Sequence, residues 1–331
     1  LDDQQPIETP ERERYIVSSL MEEAIASSKI EGASTLHRVA KDMLRRKREA
    51  RDRHERMIVN NYLAILHIRE HRGTPLTPEF IIGLQRQLTE GTLEKPDECG
   101  RLRRPDEDVV VADTEGNILH EPPHASTLDE RLKSLCDFAN ATREAGDPFI
   151  HPLVRAAIVH FQLAYDHPFC DGNGRTARVL FYWVMLHAGY WMFEFLPISR
   201  LIYESPGEYQ KAFQYVETDE FDLTYFLVYS TRLIARARKD LAQYIARKRA
   251  EQRRARETFD REGLNDRQRQ ILLDLMESPE QEFTIEAHQT TWDISYYTAR
   301  SDLLHLENLG YLDRRKVGKK FVFTPSANPP E

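Results

Sequence analysis

The sequence predicts a mostly α-helical protein that ends in a small mixed module. Three observations carry that reading. Apolar residues recur at helical spacing, as at Ile16, Leu20, Ala24 and Ile25. Before residue 280 a strand pattern is confined to one short stretch, 108–120. From Leu264 onward the pattern changes to three short helical segments and a basic hairpin. The 331 residues fit about two domains. Hydrophobic residues at 40% supply a core, and 30% charged residues with a mean hydropathy of −0.60 point to a soluble chain.

Taken in order, Glu11 to Ala33 reads as a helix that Gly32 stops. Glu31 fits its place poorly, because an anion at a helix C-terminus opposes the dipole. Either it is simply solvated or it has a functional partner. Thr77-Pro78-Glu79 opens a short helix with a cap and an N1 proline. Asp108 to Ala112 and Ile118 to His120 read as a small hairpin with the turn Asp113-Thr114-Glu115-Gly116-Asn117. Ser126 to Asp129 resembles a capping start for a helix from Leu128 to Glu144. Pro152 to Asp166 is helical, and Phe181 to Leu196 reads as a buried helix and its exit, too short to span a bilayer. Tyr203, Tyr209 and Tyr215 mark the next segment. Leu223 to about Arg256 forms one long helix, and 257–263 a linker. In the last module Asn265 to Gln268 caps a helix ending near Glu277. Helices about Ile285 to His288 and Ser295 to Leu309 follow, then the hairpin after Gly310.

The densest chemistry lies in His167-Pro168-Phe169-Cys170-Asp171-Gly172-Asn173-Gly174-Arg175-Thr176-Ala177-Arg178. Pro168 ends the preceding helix and should leave His167 extended. Phe169 is the natural plug into the core. The glycines let successive N–H groups face one concavity, an anion nest, and a second helix starting near Gly174 adds its positive end. Arg175 and Arg178 share a helix face and can grip different phosphates. Asp171 suits Mg2+. His167, a neutral imidazole near pH 7, can accept a proton.

This string is similar to the signature of the Fic domain family, with every fixed position matched and Cys170, Thr176 and Ala177 on variable ones. The resemblance implies a Fic-type helical core and a protein adenylyltransferase, moving AMP from ATP to a target hydroxyl (AMPylation). It implies His167 as general base and Asp171 as Mg2+ ligand. The backbone of Gly172, Asn173 and Gly174 would hold the α-phosphate, and Arg175 and Arg178 the β- and γ-phosphates. Tyr203 and Tyr209 fall where relatives line the adenine pocket, although aromatics there fit a core equally well. The hairpin 108–120 sits where a flap registers the target protein by strand addition. Ser27, Glu31 and Gly32 match an inhibitory motif placed before the core, which implies that Glu31 pairs with Arg178 and blocks a productive ATP pose. The last segment resembles a winged helix-turn-helix, with Tyr296, Thr298, Arg300 and Ser301 near a DNA groove and the Arg314–Lys320 wing near phosphates; its alternative is protein docking. Expected domains are thus 1–72 with the inhibitory helix, 73–256 with the flap 108–120 and catalytic loop 167–178, and 264–325, with DNA as a partner for 295–320.

Composition narrows the rest. A net charge of −8 argues against general nucleic-acid binding, and the basic runs 45–56 and 236–256 read as solvated helix faces. Cys99, Cys136 and Cys170 show neither metal nor disulfide spacing, which favours a reducing cytoplasm. Cys170 is a poor candidate nucleophile, being misaligned with His167 across a proline. The chain starts at Leu1, read as a trimmed start, without a secretory signal. A homodimer is carried over from relatives, and self-modification is a further expectation. The alternatives are removal of AMP from a modified target, with Glu31 orienting water, and a DNA-binding regulator that senses nucleotide through a Fic fold.

Overall fold

The computed structural model describes residues 9–112, 115–141, 149–259, 263–277, 281–318 and 320–326. Asp113 and Thr114 of the expected hairpin turn, the end of the helix expected to reach Glu144, part of the linker 257–263 and Lys319 lie outside them, as do the side chains of Arg249, Arg253 and Arg254. The chain forms two compact units. One comprises Ser19–Ala40 and Ala50–Ala237; the other comprises Leu1–Ser18, Lys41–Glu49 and Arg238–Glu331. The segment 1–72 is therefore not a unit of its own, since most of it clusters with the loop-bearing core.

In the larger unit, α1 (Thr9–Ile30) runs into Gly32 at φ +87°, with Gly32 N–H on Lys29 O and Ala33 N–H on Ser28 O. That is the glycine stop expected for this helix. After α2 (His37–Arg45), α3 (Arg53–Glu70) starts at Asp52, whose carboxylate accepts from Glu55 N–H at 2.8 Å. Ser28 of α1, fully buried, donates to Ala24 O, and Asn61 of α3 donates to Ser28 Oγ, so polar contacts fasten these helices. Helix α4 (Pro78–Thr89) begins as read, with Thr77 Oγ1 accepting from Phe80 N–H at 3.1 Å.

The hairpin is present but shorter than expected. Strands β1 (Val111–Ala112) and β2 (Ile118–His120) pair antiparallel, Val111 opposite His120, with a bulge. Helix α5 (Leu128–Asn140) is not capped by Ser126. A short turn, Ala125–Thr127, precedes it, and His124 accepts from Ser126 N–H there. Helix α6 (Pro152–Asp166) carries proline at its start and is capped by His151. Helix α7 (Asn173–His187) is buried on every side along most of its length, and packs against α6, α3 and α4. Helices α8 (Ile198–Glu204) and α9 (Pro206–Thr218) follow, then α10 (Thr224–Phe259), which belongs to this unit up to Ala237. Phe169, between α6 and α7, is fully buried, the plug that its sequence position indicated.

The other unit holds α11 (Asp266–Glu277), β3 (Phe283–Thr284), α12 (Ile285–Trp292), α13 (Tyr296–Asn308), β4 (Leu312–Val317) and β5 (Lys320–Pro325). Asn265 and Gln268 cap α11 reciprocally. Ser295 caps α13. The hairpin β4–β5 gains the unexpected strand β3 against β5, giving the order β3-β5-β4. Leu264, Ile271, Phe283, Leu303, Leu306 and Phe323 form its core. Asp302, buried beneath it, accepts from Asn265, Arg267 and His288. Burial works against its charge, yet those bonds hold it down to about 2. Among the described residues no helix is long and apolar enough to cross a membrane.

Phe169 fixes the loop between α6 and α7. Phe169→Ala should destabilise the fold by about 3–5 kcal/mol, read by urea unfolding.

Candidate functional site

The loop between α6 and α7 is built by capping. His167 terminates α6, its N–H reaching Leu163 O at 3.0 Å with φ 44° and ψ 56°. The expected extended conformation is thus replaced by a left-handed one, because the helix C-cap demands it more strongly than Pro168 opposes it. The ring follows from this placement. Its Nδ1 stands 3.2 Å from Ala164 O, a group that only accepts, so Nδ1 carries the proton and Nε2 keeps its lone pair. Burial pushes the imidazole down to about 4, against the Ala164 hydrogen bond and the Glu31 charge, which raise it. The ring is neutral at pH 7.

Gly172 adopts φ +88° as the N-cap of α7, and a Cβ there would lie 2.7 Å from Thr89 Cγ2, so only glycine fits. Asn173 clamps the loop through its side chain, accepting from Phe169 N–H at 2.9 Å and donating to Phe169 O at 2.7 Å. Asp171, 37% exposed at its side chain, accepts from Gly172 N–H and from Arg175 Nη2 at 3.1 Å. The N–H groups opening α7 lack intrahelical acceptors by helix geometry and point at the space beside Asp171.

The two arginines do not act as a pair. Arg175 is fully buried, donates to Leu88 O at 2.9 Å and to Asp171, and so faces α4. This departs from the expectation that it grips a phosphate. Arg178 faces α1. Its Nε donates to Ser27 Oγ at 2.9 Å, and Nη2 to Ser27 O at 3.1 Å and to Glu31 Oε1 at 2.7 Å. The Arg178 side chain is 3% exposed and that of Glu31 28%. Burial pushes Glu31 up, but the charge and hydrogen bond of Arg178 outweigh it and hold Glu31 below the usual carboxylate range. A Cβ on Gly174 would collide with Glu31 Oε1 and meet Arg178 Nη1 at 3.1 Å. The Glu31 carboxylate therefore lies directly over the first turn of α7.

Tyr203 and Tyr209 take different places. Tyr203 is 48% exposed, with Lys29 Nζ 5.7 Å above its ring. Tyr209 belongs to an aromatic cluster with Phe213 and Tyr229, and its hydroxyl meets His160 Nε2 at 2.8 Å. That is the core alternative for Tyr209. Burial lowers His160 to about 3 and raises Tyr209 to about 12. Cys170 donates to Glu107, and burial raises its thiol to about 12, which excludes the nucleophile. Glu98, Glu107 and Cys170 converge, but Glu107 is taken by Arg101 at 2.6 Å and by Arg104 N–H.

Several supporting residues were illegible. Arg103, buried, donates from Nε to His167 O at 2.9 Å and reaches Pro123 O, while its N–H bonds Pro168 O. Gln85 donates to Asp171 O at 3.0 Å and accepts from Gly100 N–H. Arg103 stands in the run Arg101-Leu102-Arg103-Arg104, which reads as solvated charge.

The loop thus brings together a helix N-terminus, a neutral histidine before it and a buried arginine behind it. Residues 75–185 match the Fic/DOC family. It is 38% identical over 96 residues to a protein adenylyltransferase Fic from Nematostella vectensis, covering 29% of this chain and 20% of that protein. It is 37% identical over 71 residues to the protein adenylyltransferase Fic of Drosophila willistoni, covering 22% and 14%. The match thus spans a fifth or less of these relatives. The fold resembles a Fic family protein from Desulfovibrio desulfuricans, with a TM-score of 0.55, 16% identity and 99% of both chains covered. It also resembles a Fic domain containing signaling protein from Bacteroides thetaiotaomicron, with a TM-score of 0.59, 20% identity and coverage of 72% of this chain and 91% of that one.

A depressed histidine stabilises the fold above its ordinary pKa and loses that contribution as pH falls through the folded value. His167 should stay neutral in a histidine-ring NMR titration from pH 8 down to about 5, and titrate near the folded value of about 4. Stability should fall as pH drops from about 6.5 to about 4, where the unfolded chain binds the proton and the folded one does not.

Proposed function

We propose that this protein transfers AMP from ATP to a hydroxyl of a protein target and restrains itself through Glu31. The observation that carries the reading is the neutral His167 ring, bare at Nε2, standing beside the N-terminus of α7. His167 Nε2 takes the proton of the attacking hydroxyl. The oxygen forms a bond to the α-phosphorus, the bond to the β-phosphate oxygen breaks, and pyrophosphate leaves. The nest at Gly172, Asn173 and Gly174 receives the phosphate charge without reorganising. Arg178 is the cation for the terminal phosphates, and Arg175 serves by shaping the loop through Leu88 and Asp171. Asp171 offers a partly exposed hard carboxylate oxygen, which fits Mg2+. Asp171 would hold the ion, which would neutralise phosphate charge.

Glu31 supports the self-inhibited form. Its carboxylate covers the first turn of α7 and occupies Arg178. A triphosphate tail there would meet an anion, so the productive pose requires Glu31 to leave. Tyr203 remains a candidate neighbour of the adenine, while Tyr209 acts from the core. A target would dock on the flap 108–120, where Val110 and Ile118 are exposed.

For the smaller unit we propose a winged helix-turn-helix, supported by three helices followed by a hairpin. Its DNA reading rests on exposed Tyr296, Arg300 and Ser301. Against it, Arg314, Arg315 and Lys320 already pair with Glu307, Glu282 and Glu286. The homodimer rests on the resemblance alone, and the cytoplasmic setting on the sparse cysteines.

With α-labelled ATP, Mg2+ and a cell lysate, Glu31→Gly should raise label transfer about 5- to 150-fold, the span of typical coupling free energies. In that background His167→Ala should lower it by about 10²–10⁴. Unchanged transfer in Glu31→Gly removes the inhibitory role; faster loss of label from premodified protein in wild type than in Glu31→Gly would favour AMP removal.

A further inference from the structure

The flap is too small to hold its own orientation. Its strands have two and three residues and a bulge between them, and such a ribbon is marginal in water. Something outside it must set where it stands. One end is held by Arg103, which binds Pro123 O together with His167 O. The same end, the base of the hairpin, carries His120, the last residue of β2 and the register partner of Val111.

His120 is 8% exposed at its side chain. Its Nε2 lies 2.7 Å from Tyr165 O, and its Nδ1 lies 2.9 Å from Glu217 Oε2 on α9. The ring also packs on Tyr165 at 4.7 Å. A backbone carbonyl only accepts, and so does a carboxylate. Only an imidazolium, with both ring nitrogens donating, makes the two contacts at once. A neutral ring has one N–H and would lose one of the two contacts. Tyr165 stands two residues before His167 in the sequence, so the strut joins the flap to the helix end that aims the base.

We propose that His120 is a positioning residue, a doubly donating strut that ties the flap to α6 and α9 and sets the flap strand against His167. The groups around it come from several elements. Glu217 faces it from α9. Tyr165 and Asp166 face it from the end of α6, with His167 just beyond. Arg131 of α5 binds Asp166 at 2.7 Å, and Glu121 follows it directly in the chain. The His120 charge also favours the neutral form of His167, adding to burial there.

The consequence for catalysis rests on the AMP-transfer reading; the strut does not. The test is therefore hydrogen exchange of amides 111, 112 and 115–121, as protection factors corrected for intrinsic rate, between about pH 5.5 and pH 8.5, the span over which an ordinary imidazole changes charge. Ring ¹⁵N shifts of His120 report its protons directly. Wild type should show both ring nitrogens protonated at the acid end and lose flap protection as pH rises. His120→Gln should lose about tenfold at the acid end, the worth of a charge-assisted bond. Glu217→Gln should keep the protection and lose its pH dependence, because its amide can donate to a neutral ring. Flap protection unchanged in His120→Gln, or a pH dependence retained in Glu217→Gln, overturns the proposal. If His120→Gln loosens the whole fold, judged by exchange in α3 and α7, the Glu217→Gln comparison decides. Label transfer measured in the Glu31→Gly background then separates the two readings. No transfer with an intact strut rejects the chemistry, and full transfer without flap protection rejects the consequence of the strut for catalysis.

Discussion

The buried guanidinium of Arg178 is the constraint around which this site is arranged. A charge that far from water is tolerable only when each donor finds an oxygen. In this chain those oxygens come from one face of α1: Ser27 through its hydroxyl and its carbonyl, and Glu31 one turn later. One turn earlier, Glu23 is also buried and accepts from Ser199 N–H at 2.8 Å and from its hydroxyl. Residues 23, 27 and 31 thus form a single stripe at helical spacing. The Glu31 carboxylate is held in place by the same helix face that satisfies the arginine.

The ring of His167 is set by a different group of hydrogen bonds. His167 needs its Nδ1 proton fixed and its Nε2 bare, and the left-handed cap of α6 supplies both by turning the ring onto Ala164 O. Arg103 fastens the backbone from outside, and Asn173 fastens the loop from inside through both backbone groups of Phe169. Each element of the loop is therefore held by at least one polar contact that would be costly to leave unmade.

What was legible in the sequence was locally coded. Pro152 starts a helix and Asp166 ends it; Gly32 stops α1; Thr77, Asn265 and Ser295 cap helices where their hydrogen-bonding chemistry indicates. Phe169 is the core plug. What was missed depends on distance along the chain. Arg103 acts on a residue 64 positions away, and His120 on one 97 positions away, and no local signal marks them. Strand β3 is two residues long and has no pattern to read. The shared face read for Arg175 and Arg178 failed for a geometric reason. Three residues along a helix rotate a side chain by about 60° from its neighbour. On a solvated helix that is one face, but α7 is enclosed, so the same rotation separates facing α4 from facing α1.

The arrangement also explains how such a contact could open without unfolding the protein. Breaking a buried ion pair ordinarily costs about 3–5 kcal/mol, because the surviving charge is stranded. Arg178 would not be stranded by the loss of Glu31. Ser27 Oγ and Ser27 O remain on its donors, and the negative charge of Glu23 stands behind it. Glu31 is the more exposed partner and sits at the frayed end of α1, next to the Gly32 turn. A phosphate arriving at the nest of α7 would offer Arg178 a second anion in place of the first. The exchange then swaps one oxygen ligand of a buried cation for another, and leaves the helix anchored by its earlier turns.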